Sequence, residues 1–213
     1  VAAILDSGLH VWRPRGGPPA RLPDPPGREA SRLFKVCAYT AGDRRYVACA
    51  YTDGFVATWE LDRPEAVPIA QQAHEGQVWS LIATQDGDGA SIVVSGAADR
   101  RMRVWGEPAG GAGELRAREA FVADGTLRRL GHVSDKQTTM LVSASATGLV
   151  ALWRLDGSAD RPELEISRHG SEVWALACRT TSDGVVIASG DMNGDVQIKH
   201  LSTALLDEDT IEG

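Results

Sequence analysis

The sequence predicts an all-β protein, a β-propeller of four-stranded antiparallel blades. Three observations lead there: tryptophans at near-constant spacing, one turn-and-strand phrase repeated before each, and the lack of any sustained helical period. Trp12, Trp59, Trp105 and Trp153 lie 47, 46 and 48 residues apart, and another 46 residues reaches Lys199. Repeats of this length with several short strands each match one propeller blade. No segment holds apolar residues at a 3.6-residue period over several turns.

The repeated phrase reads as a hairpin. Its copies are Asp6-Ser7-Gly8-Leu9-His10-Val11-Trp12, Asp53-Gly54-Phe55-Val56-Ala57-Thr58-Trp59, Asp99-Arg100-Arg101-Met102-Arg103-Val104-Trp105, Thr147-Gly148-Leu149-Val150-Ala151-Leu152-Trp153 and Asn193-Gly194-Asp195-Val196-Gln197-Ile198-Lys199. An Asp-Gly or Asn-Gly pair supplies the turn with positive φ, and alternating apolar residues follow as a strand. Before each turn runs an apolar strand of small residues, such as Ile92–Ala97, Leu141–Ser145 and Val186–Gly190. Small side chains suit sheets that crowd toward an axis. Upstream lies a third strand, seen in Val78–Ala83 and Val173–Cys178, closed by the Gly/Asp loops 86–89 and 182–184. A weaker fourth strand fills the rest, as in Leu115–Val122.

Composition sets the outer bounds. Hydrophobic residues make up 43% of the 213, enough for a sizeable core. The formal net charge of −7 argues against nucleic-acid or anionic-membrane binding, both of which need clustered positive charge. No apolar run approaches the roughly 20 residues of a membrane span. The N-terminus lacks the basic and apolar regions of a signal peptide, and the chain starts at Val1, as a fragment or processed chain would. Cys37, Cys49 and Cys178 match no metal or redox spacing and sit in apolar runs, so they read as buried, reduced thiols. A reducing, cytoplasmic compartment is the expectation.

These residues resemble the WD-repeat (WD40-type) β-propeller family over about residues 1–205. His74, Ser95-Gly96, Asp99 and Trp105 supply the family's four characteristic elements in order, with Ala73 in place of the usual Gly. His169, Ser189-Gly190 and Asn193 keep three, and Lys199 replaces the Trp. The second and fourth copies lack the His. The resemblance implies a hydrogen-bonded His–Ser–Asp–Trp network within a blade, complete only for His74, Ser95, Asp99 and Trp105, with His169 and Ser189 as a partial set.

The blades divide as 29–72, 73–122, 123–168 and 169–205, after a partial blade and Pro/Gly loop over 1–28 and before an acidic tail over 206–213. The chain thus starts at a second strand and ends after a third: about four full repeats plus a partial one. Family members usually close with seven blades, so a fragment of a larger ring is favoured over a tight five-bladed ring. The segment Pro14–Arg28 reads as an inter-blade loop, with a polyproline ligand as the alternative. Residues 107–113 read as a second, Gly-rich loop.

The chemistry of catalysis is missing from the pattern. No Gly-x-Ser-x-Gly elbow, phosphate loop or Cys-x-x-Cys occurs, so no catalytic residue, cofactor or metal is assigned. His74 and His169 fill the family's structural slot, and His132 and His200 have no ligand-like partners. Asp6, Asp53, Asp99, Asp183 and Asp191 read as turn residues.

A second pair of tryptophans is more informative. Trp79 and Trp174 occupy one position, just after the valine that opens the innermost strand; Phe34 and Arg128 hold it in the other copies. The resemblance places this position on the top face near the central channel. With it go Gln77, Glu172, Thr126 and Arg32, then Thr52, Ala98, Ala146 and Met192. Trp and Arg are common interface anchors, whereas the plainer reading packs both tryptophans between blades. The expected function is a non-catalytic scaffold or sensor module binding a protein or peptide partner through Trp79, Trp174, Gln77, Glu172, Phe34, Arg128 and Met192. The alternative is a set of structural or autoinhibitory blades attached to an effector domain, with further blades of the same polypeptide as partners. An enzymatic propeller ranks last, because the top face offers mainly Gln, Thr, Trp and Ala.

Overall fold

The computed structural model describes residues 2–5, 8–12, 18–28, 31–106, 115–134, 138–155 and 161–202. Asp6, the loop 107–113 and the tail 206–213 lie outside them, as does part of the Pro/Gly segment. The described residues form eighteen strands in five antiparallel sheets. The first sheet holds β1 (Ala2–Leu5), β2 (Gly8–Val11) and β3 (Ala20–Arg21). The second runs β4 (Leu33–Ala41), β5 (Arg44–Tyr51), β6 (Phe55–Glu60) and β7 (Ile69–Gln72). In the third are β8 (Val78–Gln85), β9 (Ser91–Ala97), β10 (Arg101–Gly106) and β11 (Arg116–Val122). The fourth comprises β12 (Leu127–Ser134), β13 (Thr139–Ser145), β14 (Leu149–Arg154) and β15 (Leu164–Arg168). The fifth has β16 (Val173–Thr181), β17 (Gly184–Asp191) and β18 (Val196–Leu201).

Every sheet is a meander of neighbours in sequence, as hairpin connections require. Three sheets have four strands. The first lacks an inner strand and the fifth an outer one. Counted from outer strand to third strand, the same strands give four full repeats, β3–β6 through β15–β18, preceded by β1–β2.

The inner strands pack side by side, β4 on β8, β8 on β12 and β12 on β16. Between consecutive sheets lie four apolar layers. Side chains alternate across a strand, so Val47, Cys49 and Tyr51 of β5 face Leu9 and Leu22 of the first sheet. Tyr46, Ala48 and Ala50 of the same strand face Val78 and Val93 of the third. The same division recurs in β13: Leu141 faces the third sheet, while Met140, Val142 and Ala144 face Val185 and Ile187 of the fifth. Burial on both faces explains why the second strands read as unbroken runs of small and apolar residues.

The turns follow the repeated phrase. Gly54 and Gly148 both sit at φ +91° and Gly194 at +85°, where a side chain would be strained. Arg100 holds the same turn position in the third sheet with φ 65°, the single non-Gly residue of positive φ among the described residues.

The segment 14–28, read from sequence as a loop, is in part a sheet element. Ala20 and Arg21 form β3, the Leu22 amide donates to the Leu9 carbonyl at 2.9 Å, and Leu22 is buried. Proline cannot donate to a ladder, so it is confined to sheet edges. This two-residue edge strand meets that limit, with Pro18, Pro19 and Pro23 around it. The cysteines are unpaired; Cys49 is buried, and Cys37 and Cys178 are half-buried. Burial pushes the Cys37 and Cys178 thiols up to about 12, which makes them inert at neutral pH.

Candidate functional site

One rim of the arc gathers the inner-strand residues singled out by the repeat. Each inner strand begins with a register shift against its neighbour: between Leu33 and Lys35, Val78 and Ser80, Leu127 and Arg129, Val173 and Ala175. The extra residues are Phe34, Trp79, Arg128 and Trp174. A β-bulge leaves one residue unpaired and re-aims its side chain. Four bulges at one level therefore turn four large side chains out of their sheets, toward one another.

They meet there. Trp79 and Trp174 contact edge to face, centroids 5.6 Å apart at 89°, although an entire sheet separates their strands. Phe34 packs edge to face on Trp79 at 5.4 Å. The Arg128 guanidinium sits 4.6 Å from the centroids of both indoles. Its Nε and Nη2 donate to Glu172 Oε2 at 3.0 and 2.7 Å, which holds the guanidinium against both rings. Arg129 lies 5.7 Å from the Trp174 ring and donates to the Arg128 carbonyl at 2.8 Å. Lys35 stands 5.0 Å from the Phe34 ring. Burial, and secondarily the Arg129 charge, lower the Lys35 pKa. Two cations thus lie near one another on an aromatic floor, and one carboxylate answers Arg128.

The remaining rim positions are tied to this level through the backbone. The amides of Thr52, Ala98, Ala146 and Met192 donate to the carbonyls of Arg32, Gln77, Thr126 and Glu172, at 3.0, 3.0, 2.8 and 3.0 Å. Gln77 and Met192 share the rim, but neither side chain joins the ring cluster. Met192 is exposed, at 65%.

The His–Ser–Asp–Trp elements form bonded chains of unequal length. In the third sheet Trp105 Nε1 donates to Ser95 Oγ at 2.8 Å, Ser95 Oγ lies 2.7 Å from His74 Nε2, and His74 Nδ1 is 3.0 Å from both Asp99 oxygens. Asp99 also accepts from the backbone amides of Glu75 and Arg101, at 3.2 and 3.0 Å. The fourth sheet keeps only Trp153 Nε1 donating to Ser143 Oγ at 2.8 Å. Cys49 occupies the serine slot in the second sheet; a thiol is a weak acceptor, and the Trp59 indole donates instead to the Pro23 carbonyl at 2.8 Å. In the fifth sheet His169 Nε2 lies 2.7 Å from Ser189 Oγ.

Two carboxylates also approach His169. Asp191 Oδ2 and Asp195 Oδ2 lie 3.9 and 3.4 Å from its Nδ1. The sequence reading gave Asp191 a turn role, which it has, accepting the amides of Asn193 and Asp195. The spacing carried no sign that its second oxygen would face a buried imidazole.

The family model described as "WD domain, G-beta repeat" matches residues 67–106, the span that holds the complete network. Residues 67–106 thus match a WD repeat, and the chain as a whole has the β-propeller type of fold. No curated protein matches the sequence. Solved structures share the fold widely, 767 chains among them, so the fold by itself selects no function. One of them, titled "Crystal Structure of Mitotic Checkpoint Complex", superposes on this chain with a TM-score of 0.69 at 16% identity. The likeness covers 93% of the present chain and 58% of that chain, so the present chain spans little more than half the length of this structural neighbour.

Proposed function

We propose that this WD-repeat array is a non-catalytic protein-interaction module that receives a protein or peptide partner on the rim built by Phe34, Trp79, Arg128 and Trp174. The observation that carries the reading is their convergence. Four bulged residues from four consecutive sheets meet in one half-exposed cluster, with Gln77, Glu172 and Met192 beside it. Aromatic rings with a stacked arginine offer large contact area at low side-chain entropy, the composition of interface anchors. Lys35 and Arg129 beside the rings favour a partner segment with a carboxylate or another anionic group.

The test is partner capture by the double variant Trp79→Ala/Trp174→Ala, set against wild type and against Asp43→Ala/Asp183→Ala. The latter pair lies in the turns joining first and second strands, at the opposite end of the sheets. The reading expects the Trp variant, folded by circular dichroism, to lose partners that the opposite-rim variant keeps. Capture of the same partners by both variants overturns it.

The fifth sheet supports a second reading, in which the blades serve as a structural or autoinhibitory support for another domain. Val196 and Ile198 of β18 are exposed at 67% and 60%, an apolar face suited to cover by further polypeptide. Under this reading the partner loss follows from substitutions on β18, and the tryptophan rim is silent.

A further inference from the structure

We propose that His169, Asp191 and Asp195 form a binding site for a divalent transition-metal ion, of which Zn²⁺ is the representative. The site lies at the turn between β17 and β18 and takes the place of the bonded chain that the third sheet completes without metal.

The comparison between the two histidines carries the inference. In the third sheet Ser95 Oγ accepts the Trp105 indole N–H, and its own O–H is left to donate to His74 Nε2. His74 therefore carries its proton on Nδ1 and donates it to Asp99. In the fifth sheet the tryptophan is replaced by Lys199 and the aspartate by Asn193. Ser189 Oγ receives no indole and lies 2.7 Å from His169 Nε2, so it is free to accept an Nε2–H. With the proton on Nε2, Nδ1 turns a lone pair toward two carboxylate oxygens. The ring is fully buried, and Nδ1 makes no hydrogen bond, although the carboxylates stand 3.4 and 3.9 Å away.

A buried imidazole nitrogen beside two carboxylates, with no hydrogen bond of its own, needs a proton or a metal cation between them. The geometry accepts one. The three donor atoms lie within 4.8 Å of one another. An ion about 2.1 Å from each ligand would place tetrahedral donors about 3.4 Å apart. The ligands are held from outside, as good metal ligands are. Asp191 Oδ1 accepts the amides of Asn193 and Asp195, both at 2.9 Å, which leaves Oδ2 for the ion. Asp195 Oδ2 is steadied by Gln197 Nε2 at 3.1 Å, and Ser189 Oγ, 2.7 Å from Nε2, holds the ring in orientation. The Asp191 side chain is buried and that of Asp195 is 56% exposed, so the ion has an entry path and a coordination position for water. Two carboxylates balance a divalent charge. The imidazole nitrogen favours zinc-like ions over Mg²⁺ and Ca²⁺, which take oxygen donors.

The experiment uses the full chain, stripped with chelator and titrated with Zn²⁺ by calorimetry and thermal melting. The expected result is one equivalent bound with a raised melting temperature, and binding at least tenfold weaker in Asp195→Asn. That substitution sits at an exposed position and leaves the fold intact. Asp191→Asn weakens binding likewise, whereas His200→Gln leaves it unchanged. Mg²⁺ and Ca²⁺ give no comparable shift. The proposal is overturned if the stripped chain takes up no Zn²⁺ at micromolar concentration. Loss of less than tenfold in Asp195→Asn overturns it too, as does equal affinity for Mg²⁺ or Ca²⁺.

Discussion

Ser95 is the residue on which the third sheet's polar network turns. Its hydroxyl serves a buried indole and a buried imidazole together. Each buried polar group left unpaired costs about 1–3 kcal/mol. Ser95→Ala strands two such groups and is expected to destabilise by about 2–5 kcal/mol. Ser143→Ala strands only the Trp153 indole and should cost about 1–3 kcal/mol. Urea unfolding of both variants checks the order; equal losses would mean that the His74 bond contributes nothing. The same network sets a pH dependence. Burial lowers the His74 pKa below 6.5, outweighing the opposing pull of Asp99, and burial lowers His132 in the same direction. The unfolded chain then binds a proton near pH 6.5 that the folded chain refuses until lower pH. This contribution to stability is complete above pH 6.5 and is lost as pH falls toward the lowered folded values. Melting temperature is therefore expected to drop between pH 7.5 and 5.5, with a shallower slope in His132→Gln. An unchanged slope in that variant would remove His132 from the account.

Single residues matter at the rim only because the inner strands place them. Four bulges turn Phe34, Trp79, Arg128 and Trp174 toward one cluster, and Arg128 reaches both indoles. The guanidinium sits against both indoles while Glu172 holds its edge. An ammonium has neither the plane nor the fork. Arg128→Lys is expected to cost about 1–2 kcal/mol and to change the emission of the two tryptophans. A denaturation midpoint and emission spectrum identical to wild type would show that charge alone is needed. Much of this was legible in the sequence. The equivalence of Phe34, Trp79, Arg128 and Trp174 follows from phase, as do the turns at Gly54, Gly148 and Gly194. The bulges were not legible, because two-residue alternation has no mark for an unpaired residue. Contact between Trp79 and Trp174 across an intervening sheet depends on how tightly the inner strands converge, which spacing does not encode. The short strand β3 was hidden by proline-rich composition, and the carboxylates around His169 by an imidazole slot that looked structural.

At the scale of the molecule, stability comes from stacking, since each sheet buries both faces only between two neighbours. The fifth sheet shows what one uncovered face looks like. Val150 and Leu152 of β14 are buried against the fifth sheet, together with Val142 and Ala144 of β13. Moving 46 residues along the chain, from Trp153 to Lys199, turns these four into Val196, Ile198, Ala188 and Gly190. These residues pair across the β17–β18 ladder, Ala188 with Ile198 and Gly190 with Val196, and so share one face. That face has the composition of a buried layer, yet Val196 and Ile198 are 67% and 60% exposed. Among the described residues, its third strand, β18, also presents an edge without a neighbouring strand. Flat apolar faces and open edges associate with their like. Purified chain is therefore expected to self-associate with rising concentration, and Val196→Lys/Ile198→Lys to shift it toward monomer. The substituted side chains point to solvent, so the melting temperature should change little. Sedimentation velocity over a concentration series decides. Wild type that stays monomeric at 100-fold varied concentration, or a lysine variant that associates as strongly, would show that this face is not the one that drives assembly.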